Sequence, residues 1–137
     1  MAYFKCNQAS GGGGGGQMVE TVLWTNSNPS ASSGFAAQAV TLSDDIDNYD
    51  YICVEYARGY NYLTTKAKVF CSVSDFKTFG YSAGKQSLAL GMYGNAAQFR
   101  AFYYDSDTQA HFGPNLQAGS AVNANNIPLY IYGCKIE

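Results

Sequence analysis

The chain has 137 residues, enough for one domain of ordinary size. Hydrophobic residues make up 47%, which supports a packed core and excludes a fully disordered chain. Charged residues reach only 13%, and 8 Lys and Arg against 10 Asp and Glu leave a net charge of −2, so the basic face that a nucleic-acid binder needs is missing.

Residues 1–19 differ in composition from the rest. Tyr3 and Phe4 form a short aromatic tip, and Gly11, Gly12, Gly13, Gly14, Gly15 and Gly16 form an unbroken run. Free glycine chains are flexible, so a linker is the default reading. The alternative is a stem held by a partner that packs closely against bare backbone, as collagen chains crowd around a shared axis. Residues 1–19 are therefore expected to serve in oligomerisation or attachment. No apolar run of about 7–15 residues follows a basic start, so no signal peptide is expected. Nor does any segment approach the roughly 20 apolar residues of a membrane helix, so no membrane insertion is expected.

From residue 20 onward the pattern alternates as strands do. Residues 20–25 place Val22 and Trp24 on one face, with Trp24 expected in the core. Residues 36–42 pair Val40 with Leu42. Residues 49–56 give the clearest strand: Ile52, Val54 and Tyr56 share one face, and Tyr51, Cys53 and Glu55 share the other. Residues 66–73 turn Val69, Cys71 and Val73 inward. Residues 87–91, 98–104 and 109–112 follow, and residues 129–136 close the series. The 105–108 segment reads as a turn. Eight short strands without sustained helical periodicity predict an all-β fold: an antiparallel β-sandwich of jelly-roll type covering residues 20–137, preceded by the glycine-rich stem.

The cysteines Cys6, Cys53, Cys71 and Cys134 lack Cys-x-x-Cys spacing, and His111 is the single histidine, so no metal site and no cofactor are expected. Cys53, Cys71 and Cys134 lie in apolar runs and are expected reduced and buried. The acidic group Asp44, Asp45, Asp47 and Asp50 departs from the calcium-loop spacing and reads as an inter-strand loop. Asp105 and Asp107 read as turn residues. His111 lacks a local nucleophile motif and reads as a strand-end residue with a solvent-facing ring. No catalytic residue is assigned, and the chain is not expected to be an enzyme.

Arg58, Tyr60, Asn61 and Tyr62 bring two rings and two hydrogen-bonding groups together between two strands. Rings stack on the apolar face of a sugar, while amide and guanidinium bind its hydroxyls, so these four are the expected glycan-binding residues. The competing reading has both tyrosines covering the core rim or a subunit interface. Tyr93, Asn95 and Gln98 form a second candidate loop.

Four segments carry a resemblance: Glu20-Thr-Val-Leu-Trp-Thr-Asn26, Ser33-Gly-Phe-Ala-Ala-Gln-Ala-Val-Thr-Leu42, Asn48-Tyr-Asp-Tyr-Ile-Cys-Val-Glu-Tyr56 and Ile127-Pro-Leu-Tyr-Ile-Tyr-Gly-Cys-Lys-Ile136. In this order they resemble the small β-sandwich head domains of phage and prophage virion proteins from Gram-positive gut bacteria, of tail-fibre or head-fibre type. The resemblance spans about residues 20–137. It implies a non-enzymatic structural protein of the virion surface, assembled in the bacterial cytoplasm, homotrimeric and joined to other virion proteins through its N-terminal segment. Its task would be host attachment through a cell-surface glycan, or decoration of capsid or tail. A free carbohydrate-binding module of a bacterial surface protein is the alternative.

Overall fold

The computed structural model describes residues 16–30, 32–57, 66–82, 84–93 and 96–137 (backbone alone at 92 and 93). Among these residues the chain forms nine strands: β1 (Met18–Thr25), β2 (Gln38–Thr41), β3 (Tyr51–Ala57), β4 (Lys66–Ser72), β5 (Leu88–Tyr93), β6 (Ala97–Ser106), β7 (Gln109–Gln117), β8 (Ser120–Ala121) and β9 (Ile127–Ile136). A 3-10 turn (Ile46–Asn48) precedes β3, and a four-residue helix, α1 (Val73–Phe76), follows β4. One sheet has the order β1-β9-β3-β4, and the other β2-β7-β6-β5 with β8 on β7. Every pairing is antiparallel. The fold is the expected all-β sandwich. Its first strands pair with its last ones, β1 with β9 and β2 with β7, so the chain wraps around itself.

The core follows from the alternation. Ile52, Val54 and Tyr56 of β3 and Leu129 and Ile131 of β9 face Leu90, Phe102, Ala110 and Phe112 of the opposite sheet. Phe102 links Phe76 (4.9 Å between ring centroids) to Phe112 (4.8 Å). Trp24 packs against Phe35 and Phe112 at its margin. The shared face expected for Val22 and Trp24 is corrected by a bulge: the register of β1 on β9 shifts between them. The inserted residue, Leu23, turns into the core at 2% exposure, and Val22 is left 47% exposed. A second correction ends β4 at Ser72, where its hydroxyl accepts from the Asp75 N–H and caps α1.

Arg100 is fully buried between the sheets without a carboxylate partner among the described residues. Its guanidinium donates to the carbonyls of Asn126 (2.9 Å), Phe35 (2.8 Å), Gly113 (2.8 Å), Asn125 (3.2 Å) and Asn123 (3.4 Å). One side chain thereby ties β7 to the loop before β2 and to the 123–126 segment before β9. Burial pushes its pKa down to about 10, still well above neutrality, so the group remains a cation.

The outer face of the β1-β9-β3-β4 sheet explains an odd burial. Cys53 and Cys134 belong to the face opposite the core residues, yet both are fully buried. Lys68 of β4 reaches across to Glu20 of β1 (3.1 Å) and lies over the Tyr132 ring (4.8 Å), and the Tyr132 hydroxyl donates to Glu55 (2.9 Å). This bridge of long side chains roofs the two thiols. Cys53, Cys71 and Cys134 are joined in no disulfide; Cys71, expected to be buried, is only half-buried.

At the start of β1, Gln17 and Glu137 exchange both backbone hydrogen bonds at 2.9 Å. A Cβ on Gly16 would stand 2.5 Å from Ile136 Cγ2, so that glycine is needed for the close approach.

Candidate functional site

A cleft opens beside the end of β6 and the start of β7. Phe102, Ala110 and Phe112 point into the core, so Tyr103 and His111, which alternate with them, point outward. The register places those two directly opposite each other. Their rings stack nearly parallel, 4.9 Å apart at 9°. His111 Nδ1 sits 3.0 Å from Asp105 Oδ2, which fixes the imidazole in that posture.

The second wall comes from the segment after α1. Phe76 anchors it in the core, and the Phe79 N–H bonds back to the Phe76 carbonyl. The Gly80 N–H donates to the Gln86 carbonyl, closing a loop that carries Tyr81 over the sheet. The Tyr81 ring lies 5.8 Å from Tyr103 at 40°. Tyr81 is 81% exposed and Tyr103 only 7%, so Tyr81 offers its ring to solvent while Tyr103 forms the back wall. Burial, then Asp105 and Tyr81, push the Tyr103 phenol up, which keeps its O–H protonated as a donor. The space enclosed is about 460 Å³, within the roughly 300–1,000 Å³ usual for small-molecule sites. Ser82, Lys85 and Asp105 supply polar groups to its lining.

Behind the cleft, Lys77 pairs with Asp47 and with Asp107 (3.2 Å), and the Tyr104 hydroxyl donates to Asp107 at 2.6 Å. The Asp47 contact foremost, and then Asp107, hold the Lys77 ammonium well above its ordinary value despite desolvation. The Tyr104 bond and then Lys77 hold Asp107 below the usual carboxylate range. Asp45, Asp47 and Asp107 bring oxygens within 4.8 Å of one another. Lys77 supplies the positive charge for two of them, so the group is an ion-pair cluster built into the fold. Asp44 and Asp45 bond to local backbone, as expected, while Asp50 reaches the backbone of β9. Asp45 caps the 3-10 turn, Asp44 accepts from the Asp45 N–H and the Tyr49 hydroxyl, and Asp50 accepts from the Ile136 N–H.

The expected glycan-binding residues Arg58, Tyr60, Asn61 and Tyr62 lie outside the described residues, as do Tyr3, Phe4 and Gly11 to Gly15. Asn95 does too. Gln98 accepts from the side chains of Asn115 (2.9 Å) and Asn125 (3.0 Å). His111 faces outward, as expected, with Tyr103 covering one face of its ring. Asp105, expected in a turn, is instead a residue of β6, and it orients that ring. Sequence reasoning missed Tyr81, Tyr103 and Lys85. Each is unremarkable alone, and the cleft exists only once the 77–86 segment folds back on β6 and β7.

An imidazole held by a carboxylate can orient a ligand or, beside a nucleophile, take its proton. Here it lies flat against a phenol ring and forms part of an aromatic wall with a polar rim. No protein-family model matches the chain, and no curated protein is found similar to it.

Proposed function

We propose that this chain is a non-enzymatic attachment head, a surface-displayed phage virion protein that holds a host-cell glycan in the cleft of Tyr81, Tyr103 and His111. The observation that carries the reading is the aromatic wall of that cleft. The exposed Tyr81 ring suits the C–H face of a pyranose, and Asp105, Ser82 and Lys85 suit its hydroxyls. A rigid sandwich presenting such a wall is suited to binding without chemistry. Mounting on the particle through residues 1–19 and assembly as a homotrimer belong to the same proposal, and rest on the resemblance of the four segments described above. An open site of one or two rings binds weakly, and three copies per head would raise the avidity.

A free carbohydrate-binding module would use the same cleft, and oligomeric state separates the two readings. Light scattering on the full chain is expected to give a trimer; a stable monomer at micromolar concentration would favour the free module. The cleft itself is tested by saccharide titration followed through backbone amide shifts. Methyl glycosides should shift amides of residues 79–86 and 103–111, and Tyr81→Ala should abolish those shifts with the remaining spectrum intact. Shifts that survive Tyr81→Ala, or that appear only among residues 58–65, would move the site to the loop between β3 and β4.

A further inference from the structure

We propose that the cleft selects anionic saccharides, with the Lys85 ammonium receiving a carboxylate or phosphate carried by a sugar whose ring rests on Tyr81. This rests on the reading of the cleft as a saccharide site and adds the charge of the ligand.

Two ammonium groups line the cleft. Lys77 is committed to two carboxylates, Asp47 and Asp107. Asp105 is engaged by His111. Lys85 is then the lining cation without an ion pair among the described residues. Its position is also built. The Lys85 N–H donates to the Ser82 carbonyl (3.0 Å), and the positive φ of Gly84 (84°) allows the chain to turn there. A Cβ on Gly80 would stand 2.9 Å from Lys85 Cδ, so the bare backbone at Gly80 gives the lysine stem a seat. A stem seated on glycine loses less freedom when its head group meets an anion than a freely waving lysine does. No carboxylate among the described residues stands within ion-pair distance of the Lys85 ammonium.

The test is an amide-shift titration of the full chain with methyl β-glucuronide, glucose 6-phosphate and methyl β-glucoside. Both anions should bind about three- to five-fold tighter than the neutral glycoside, the ratio that an exposed ion pair supplies. Lys85→Gln should bring all three to one affinity. Gly80→Ala, which keeps the lysine but removes its seat, should reduce the preference as well. A phosphate bound tighter than the glucuronide would mark a phosphate-bearing glycan as the source, and the reverse a uronate; both results support the proposal. Equal affinity for all three in the unaltered chain, or a preference that survives Lys85→Gln, overturns it while leaving the saccharide site standing. Binding of none of the three overturns both.

Discussion

Replacing Arg100 with Met tests whether a single buried cation holds the second half of the sandwich together. Methionine keeps the length and apolar stem but removes every donor. Three of the guanidinium bonds, to Asn126, Phe35 and Gly113, are 2.9 Å or shorter. A buried acceptor left without its partner costs about 1–3 kcal/mol. Three at the low to middle part of that range give about 3–6 kcal/mol. Removing a desolvated charge returns part of this, which leaves a net loss of about 3–4 kcal/mol. That is a large fraction of the ~5–15 kcal/mol that holds a domain folded. Guanidinium chloride unfolding followed by the signal of Trp24, which packs beside Phe35, is the assay. With a slope of roughly 3 kcal/mol/M, the midpoint should fall by about 1 M. Arg100→Lys keeps the charge but loses the planar fork, and should fall between the two. A midpoint lowered by less than about 0.3 M at unchanged slope would refute the reasoning, because the five carbonyls would then have found other partners.

Three further outcomes follow from the structure. Lys68→Ala should open the roof over Cys53 and Cys134 and speed their labelling by a thiol reagent severalfold, with only ~1 kcal/mol or less lost in stability; unchanged labelling would show that the strands alone bury them. Half-buried Cys71, whose pKa desolvation and then Asp75 push up to about 11, should label slowly at pH 8 and faster as pH rises toward that value, as mass spectrometry of the modified peptide would show. Asp44 and Asp107 are held below their ordinary value in the folded state, Asp44 chiefly by the Tyr49 hydroxyl and Asp107 by that of Tyr104. Their contribution is therefore full above the unfolded carboxylate range and is lost as pH falls through it, so the denaturation midpoint should drop between neutral pH and pH 3 and drop less in Tyr104→Phe.

The long strands were legible because alternation survives wherever one face is buried. Residues 49–56 fall on β3 with the expected faces, and residues 129–136 fall on β9. The 98–104 pattern extends into a ten-residue β6 because Ala97 and Asp105 continue the extended backbone. Where one residue is inserted, alternation misleads: the bulge at Leu23 exchanges the faces of β1. Where polar capping competes with a strand, it also misleads, as at Ser72. β7 runs on through Gly113 and Pro114, past the 109–112 span expected for it. The cleft was not legible. Tyr81 and Tyr103 are 22 positions apart, and what brings them together is the burial of Phe76 against Phe102, a contact that local pattern does not encode.

The backbone pair between Gln17 and Glu137 also sets how the sandwich carries mechanical load. Tension applied through residues 1–15 reaches the sheet at the first rung of β1 on β9, in line with neither strand's full length. Antiparallel rungs loaded from one end part in sequence, like a zipper, whereas strands pulled lengthwise share the load. The first rungs, Met18 with Ile136 and Val19 with Lys135, would therefore yield before the core is disturbed. A chain pulled through residues 1–15 would lengthen by releasing β1 while Arg100 keeps the opposite sheet intact, making β1 a compliant element in series with a stiff body.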